Sequence, residues 1–143
     1  MTTVQDPNER NRAIIEEFHK NAGKAPSHVG SERMLLITHT GAKSGKKRTN
    51  PLMYLPDGKR FIIFATKGGS PTHPDWYHNL VAHPDVTVEV GTESFEARAV
   101  VTTGQERDQL YARQAKAYPQ FGDYEKRTTR KIPVIALERK GLR

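Results

Sequence analysis

The short distance between candidate strands is the feature of this sequence that most limits its fold. Predicted strands at residues 50–55 and 60–66 are separated by little more than a Pro-Asp-Gly turn signal. Residues 86–90 and 95–101 alternate apolar and polar side chains and meet at Gly91. Since parallel neighbours need a crossover of a dozen or more residues, these pairs are antiparallel. The sequence predicts an α+β fold with a mostly antiparallel sheet closed into a barrel.

Helices and two further strands complete the predicted order α-β-β-β-α-β-β-α-α-β. Asp6-Pro7 begins a helix, and Thr103 with Glu106 forms a capping box that begins another. The remaining predicted elements are strands at 33–39 and 132–137 and helices at 74–82 and 121–127. The unbroken apolar run inside the strand at 60–66 predicts burial of both of its faces.

Composition narrows the kind of partner without choosing one. The 143 residues carry a formal net charge of +7, which fits nucleic acid, a membrane surface or an acidic cofactor. The absence of cysteine excludes disulfides, zinc fingers and thiol catalysis. The first residues lack a signal-peptide layout, and no apolar run has the length of a membrane span. We therefore expect a soluble cytoplasmic protein.

The basic run at residues 40–51 is the strongest functional signal. It places Lys43, Lys46, Lys47 and Arg48 beside two glycines, between two apolar strands. Such a loop can surround an anion with backbone N–H groups and cationic side chains. The glycine spacing is not that of a Walker A loop. A solvated hairpin whose charges serve solubility is the simpler alternative.

Three other segments could contact a ligand, and each has a simpler explanation. Residues 65–69 end a buried strand with paired glycines that allow close backbone approach, or form a plain turn. Residues 73–79 begin a short helix whose N–H groups favour an anion, although its aromatics are more typical of core anchors. Residues 118–124 carry an aromatic at every third position, which could cover a flat ligand or pack in the core.

Metal binding and serine catalysis are not indicated. His73, His78 and His83 are spaced by five, which rotates successive side chains roughly 140° apart on a helix. Ser44 has no nucleophile-elbow context. We predict no metal site.

Taken in order, these segments resemble the deazaflavin-dependent nitroreductase family of the actinobacterial flavin/deazaflavin oxidoreductases. The motifs that carry the resemblance are T-G-A-K-S-G-K-K-R-T-N-P-L-M-Y, A-T-K-G-G, P-D-W-Y-H-N-L, V-T-V-E-V, Y-P-Q-F-G-D-Y and R-K-I-P-V-I-A-L. They cover about residues 33–138. The resemblance implies a split β-barrel with flanking helices that binds coenzyme F-420, a deazaflavin with a phosphodiester and an oligoglutamate tail. We divide the chain into an N-terminal helix and loop, 1–32, and the deazaflavin-binding barrel, 33–143, within one structural domain.

The resemblance also implies roles for individual residues. The phosphate and the tail carboxylates would be held by Lys43, Ser44, Gly45 and Arg48. The deazaflavin would be lined from the second strand by Asn50, Pro51 and Tyr54. Its pyrimidine and phosphate side would meet Thr66, Lys67, Gly68 and Gly69. The ring or ribityl chain would contact Trp76, Tyr77 and Asn79. The substrate would be bounded by Tyr118, Phe121 and Tyr124, with the hydroxyl of Tyr118 or Tyr124 as the proton donor.

The implied reaction is hydride transfer from the reduced deazaflavin to a quinone-like or nitroaromatic acceptor. Some similar nitroreductases have a tyrosine where Phe121 stands, so we expect quinone reduction and weak nitroimidazole reduction. FMN is the alternative cofactor. A non-catalytic flavin, deazaflavin or haem carrier and a nucleic-acid-binding barrel are the alternative functions, although we expect no nucleic acid partner. Peripheral membrane contact would give access to quinones, and a monomer and a dimer are both compatible with the sequence.

Overall fold

The computed structural model describes residues 7–21 and 33–141, with the backbone alone for 7–10. The predicted cap at Asp6 and residues 22–32 of the N-terminal segment lie outside this description. The helices are α1 Pro7–Lys20, α2 Asp75–Ala82, α3 Gly104–Ala117 and α4 Gln120–Lys126. The strands are β1 Met34–Thr40, β2 Lys47–Met53, β3 Leu55–Asp57, β4 Arg60–Phe64, β5 Asp85–Val90, β6 Glu93–Val101 and β7 Val134–Arg139. None of the helices in the described part of the chain is long and apolar enough to span a membrane.

The seven strands form one antiparallel sheet in the order β2-β1-β5-β6-β7-β4-β3. Its two edge strands, β2 and β3, are separated in sequence by Tyr54 alone. A flat seven-stranded sheet would hold its edges ~29 Å apart, whereas residues two positions apart reach at most ~7 Å. The sheet must therefore curl, and it forms a half-barrel, as the strand spacing predicted.

Side-chain alternation divides the interior into three apolar clusters. Leu35 and Ile37 of β1 face the inside of the curl, where Trp76 and Leu80 of α2 pack against them. The outer face of β4 and β7 is covered by α3 and α4. The outer face of β1 is covered by α1. Strand β4 lies between the first two clusters, which confirms the predicted burial of both of its faces.

Two local predictions were wrong. Strand β2 begins at Lys47 rather than residue 50, so Lys47 and Arg48 lie on an edge strand instead of in the loop. Lysine is common on edge strands because it discourages pairing with another chain. The predicted capping box of α3 does not form, since Thr103 makes no side-chain cap hydrogen bond and Glu106 contacts Arg60 instead.

Candidate functional site

A groove runs between the start of β2, the loop 41–46 and α2. It consists of two adjoining cavities of about 590 and 380 Å³ that share Arg48, Asp75 and Asn79. The larger cavity is also lined by α1, and the smaller one by the loop. We call this space the basic groove.

The inward face of β2 changes from charged to apolar along the strand. Arg48, Asn50 and Leu52 alternate with outward residues and stand opposite His39, Ile37 and Leu35 of β1. Because successive side chains of a strand point to opposite faces, these three share the face that borders the inner core. The strand thus offers a cation, an amide and an apolar surface in succession.

The loop between β1 and β2 is closed by its own backbone. The N–H of Gly41 donates to the Lys46 carbonyl at 2.8 Å, and the N–H of Gly45 donates to the Gly41 carbonyl at 2.9 Å. Gly45 has φ +70°, a conformation that favours glycine. A side chain at Gly41 would place its Cβ 2.5 Å from the Ser44 Oγ. The glycines therefore permit a compact loop with Lys43 and Ser44 on its surface.

The cations of the basic groove have no anionic partner within the described ranges. Arg12, Lys43, Lys47 and Arg48 line it, all four are exposed, and none lies within 4 Å of a described carboxylate. Asp75 in the first turn of α2 is the one acidic side chain among the described lining residues. The groove is therefore suited to an anion that carries more than one charge.

The loop with paired glycines, Thr66–Gly69, lies elsewhere and packs against α4. It forms a 3-10 turn in which Lys67, Gly68 and Gly69 have positive φ values of 46°, 64° and 83°. A Cβ on Gly69 would come within 2.8 Å of the Tyr124 carbonyl oxygen, so this position requires glycine. Neither cavity of the basic groove is lined by this loop.

Arg130 holds this second loop in place. Its guanidinium donates to the carbonyl oxygens of Ser70 at 2.8 Å, Ala65 at 3.1 Å and Thr66 at 2.6 Å. It also donates to Nδ1 of His73 at 2.8 Å. The pKa of His73 is lowered by burial and by the charges of Arg130 and His78, which keeps its Nδ1 an acceptor. Sequence reasoning missed Arg130, because a lone arginine more than 50 residues away carries no local signal.

The three aromatic side chains of residues 118–124 do not share one environment. Phe121 is only 5% exposed and packs against Phe64 and Tyr111 in the cluster beneath α3 and α4. Its helix turns Phe121 onto the outer face of β4, so this residue follows the simpler alternative of core packing. Tyr118 and Tyr124 are partly buried and retain accessible surface.

The basic groove brings together only part of the predicted cofactor set. Its two cavities are lined by the predicted residues Lys43, Ser44, Arg48, Asn50, Trp76 and Asn79. Pro51 stands opposite Leu36, whose side chain packs under α1, so alternation places it on the other face of β2 from Asn50. Tyr54 stacks edge-on with Phe61, and Tyr77 contacts His73. Each of these two tyrosines is partly buried against the inner core.

His39 also lines the larger cavity, although it was not among the predicted site residues. It is 1% exposed and contacts Asn50 of β2 and Asn79 of α2. Burial lowers its pKa, against the effect of the Asn50 hydrogen bond, and Arg48 lowers it further. The alternation of β1 from Leu35 through Ile37 would have placed this side chain inside.

Comparison with known proteins identifies close similarities. The sequence model of the F420H(2)-dependent quinone reductase family matches residues 10–139. An F420H(2)-dependent quinone reductase of Mycobacterium tuberculosis (strain ATCC 25618 / H37Rv) is 39% identical over 127 residues, which cover 85% of this chain and 79% of that protein. The solved structure of an F420-H2 dependent reductase, FDR-A, has a TM-score of 0.68 and 40% identity over 74% of this chain and 94% of its own. A structure described as a domain-swapped dimer has a TM-score of 0.70 and 34% identity over 93% of this chain and 100% of its own.

Proposed function

The chain belongs to the F420H(2)-dependent quinone reductase family, and we propose that the basic groove holds the anionic part of coenzyme F-420. The protein is an F420H(2)-dependent oxidoreductase whose acceptor is a quinone. When bound, the reduced cofactor supplies a hydride, and the quinone takes up that hydride and one proton to become the quinol. The chain itself binds, orients and shields the reactants.

The observation that supports this placement is the set of unpaired cations around the groove. Lys43, Arg48 and Arg12 converge on it from three elements, and the described carboxylates leave them without partners. A phosphodiester followed by glutamates carries several negative charges in a line, which matches an elongated groove lined by cations. The N-terminus of α2, where Trp76 and Asn79 follow, adds partial positive charge.

The deazaflavin ring would continue from Asn50 and Leu52 toward the loop that Arg130 holds. Thr66 is helical and Lys67 has φ 46°, and successive residues of this kind turn their N–H groups to one side. Such donors stabilise negative charge on the pyrimidine of the reduced cofactor. In this arrangement the proton comes from Tyr118 at the end of α3 or from Tyr124, which lies on α4 beside Gly69.

A titration separates this proposal from its alternatives. We expect micromolar or tighter binding of F-420, followed by fluorescence, and much weaker binding of FMN. Steady-state oxidation of reduced F-420 by menadione separates the enzyme from a carrier that only sequesters the cofactor. Equal affinity for FMN would contradict the assignment of the groove to an oligoglutamate tail.

Nitroaromatic compounds are the second acceptor class to be tested. They are flat and electron-poor like quinones, and the position of Phe121 in the core means that its missing hydroxyl does not decide their reduction. We propose that quinones are reduced faster, and kcat/KM for menadione and a bicyclic nitroimidazole under the same conditions measures this. A higher value for the nitroimidazole would contradict this order.

Access to a membrane quinone is a separate proposal. The exposed cation Lys46 lies next to the groove but does not line it, so we propose weak, salt-sensitive contact with anionic vesicles. Sedimentation with phosphatidylglycerol vesicles tests it, and binding that is unchanged by salt would contradict it.

We also propose a dimer, because the 34% identical structure is described as a domain-swapped dimer. Measurement of the mass in solution tests this proposal.

A further inference from the structure

Three hydrogen bonds join the basic loop to β2 through the inside of the protein. The N–H of Ala42 donates to Oδ1 of Asn79 at 2.8 Å. Asn79 Nδ2 lies 3.1 Å from Nδ1 of His39, and His39 Nε2 lies 2.6 Å from Oδ1 of Asn50. The series crosses from the loop to α2, to β1 and to β2, and His39 and Asn79 within it are buried. We call it the His39 chain.

The direction of the His39 chain is determined at its first member. A backbone N–H can only donate, so Asn79 must turn its oxygen to Ala42 and its nitrogen to His39. Nδ1 of His39 then has to accept, which leaves the ring hydrogen on Nε2. Because Nε2–H donates, Asn50 must present its oxygen to the ring.

The chain therefore determines which end of the Asn50 amide is left for a ligand. With Oδ1 turned to His39, the Nδ2 group has no hydrogen-bond partner in the described part of the molecule, and Asn50 lines the groove. An amide that could rotate would offer a donor or an acceptor. This one offers a donor only.

We infer that His39 and Asn79 are positioning residues, which hold the Asn50 amide nitrogen toward the groove as a donor to an acceptor oxygen or nitrogen of the bound cofactor. The inference rests on the proposed function. A ring carbonyl and a phosphate oxygen share this chemistry, and the binding experiment below distinguishes them. The inference predicts selection against a ligand that presents an N–H at this point, since two donors would then face each other.

The first test needs no cofactor. A long-range ¹H–¹⁵N spectrum of the imidazoles in the full-length protein should show His39 neutral at pH 7.5, with its hydrogen on Nε2. The His39→Phe variant assigns the signal. A hydrogen on Nδ1 would reverse the chain and overturn the inference.

The second test reverses the chain with an isosteric change. In Asn79→Asp the carboxylate accepts from Ala42 and also demands a hydrogen on Nδ1 of His39. When His39 is doubly protonated, Nε2–H still donates and Asn50 keeps its orientation. When it is neutral, Nε2 accepts, so Asn50 must turn its nitrogen to the ring and its oxygen to the groove.

F-420 binding to Asn79→Asp should therefore weaken about tenfold as pH rises through the pKa of His39, a change that the wild type does not show. The charged or titratable groups that line the two cavities with His39 are Lys47 and Arg48 on β2, Lys43 in the loop, Asp75 and His78 on α2, and Arg12 on α1, and both proteins contain all of them. Comparison with the wild-type profile therefore removes the contribution of these groups and of the cofactor to the pH dependence of binding. Parallel profiles for the two proteins would overturn the inference.

The third test removes the chain and identifies the acceptor. His39→Phe should weaken F-420 binding about tenfold, whereas His83→Phe, at an exposed histidine outside the groove, should not. An equal loss with 8-hydroxy-5-deazariboflavin, which lacks phosphate and tail, supports a contact with the ring. A loss confined to F-420 supports a contact with the phosphate.

The outcomes distinguish failure of the positioning inference from failure of the proposed function. If the wild type binds F-420 and neither His39→Phe nor Asn79→Asp alters the affinity, the inference is overturned and the proposed function stands. If the wild type binds no F-420, the proposed function is overturned and the positioning role with it. The His39 spectrum is measured without cofactor in either case.

Discussion

Cations serve two different purposes on two sides of this molecule. Around β3 and α3, Arg60 contacts Asp57 at 2.5 Å and Glu106 at 3.2 Å, and Arg113 contacts Asp57 at 2.9 Å. Around the basic groove, Lys43 and Arg48 have no such partner among the described residues. The same residue types thus neutralise carboxylates in one region and leave an uncompensated positive field in the other.

The difference shows why net charge says little about function. The value of +7 counts both regions alike, whereas only unpaired charge attracts a distant anion. The paired set should contribute modestly to stability, because it is partly exposed. The unpaired set should contribute to ligand affinity and little to stability. Substitution of a paired cation should therefore lower stability and leave affinity unchanged. Substitution of an unpaired cation should lower affinity and leave stability nearly unchanged.

The largest effect is expected for substitution of Arg130, which should lower both stability and affinity and so does not follow this division. It is a cation whose partners are carbonyl oxygens and a histidine rather than carboxylates. Arg130→Met removes a donor from three carbonyl groups, of which that of Thr66 keeps the backbone N–H of Gly69, so the free energy of unfolding should fall by about 3 kcal/mol. Affinity for F-420 should fall as well, because the loop Thr66–Gly69 loses its support. Urea unfolding and cofactor titration measure the two, and loss of stability with unchanged affinity would contradict a cofactor role for this loop.

Substitutions in the basic groove should lower affinity alone. Lys43→Ala and Arg48→Ala should each weaken F-420 binding by about 2 kcal/mol, the range of a hydrogen bond to a charged group. Their unfolding free energies should stay within about 0.5 kcal/mol of the wild type. The loss should shrink with a cofactor stripped of its glutamates. Unchanged affinity in both variants would support the alternative that the loop is a solvated hairpin whose charges serve solubility.

Arg60→Ala is the matched substitution in the paired region. It removes the partner of Glu106 and one of the two arginine partners of Asp57, and should lower the unfolding free energy by about 1 kcal/mol. F-420 affinity should not change, and the same preparation that tests Arg48→Ala serves for the comparison. A loss of affinity here as large as that of Arg48→Ala would show that total charge, rather than unpaired charge, controls binding.

Acidification should affect the two regions at different pH values. Its effect on overall stability should be smaller than the effects of the substitutions above. The pKa of His39 is lowered from 6.5, mainly by burial, so the stability due to its neutral form is present above pH 6.5 and is lost as pH falls through the lowered pKa. The pKa of Asp57 is lowered from 3.8 by hydrogen bonds from Arg60 and Arg113, so its contribution persists to below pH 3.8. As pH falls, the protection of the Ala42 amide, measured against its intrinsic exchange rate, should therefore be lost at a higher pH than protection near Asp57. Simultaneous loss of protection would contradict this order.

Much of the fold could be predicted because strands and tight turns are written in local patterns. Alternation in β5 and β6, the turn at Gly91 and the unbroken apolar run of β4 each involve residues within a few positions of one another. The evidence for an anionic ligand was equally local, because the basic loop is a short run of sequence between two adjacent strands. The family resemblance added the cofactor, which no local pattern contains.

The tertiary structure alone decided which residues meet. His39 and Asn79 are 40 positions apart, and Arg130 reaches Ala65 across 65. No periodicity along the chain encodes such pairs, because they depend on how α2 enters the curled sheet and how β7 lies beside β4. The same reason explains Phe121, whose spacing fits both a lid and a core. The sequence determined an antiparallel sheet with a basic loop between two of its strands, and the packing of helices onto that sheet decided which side chains face the groove.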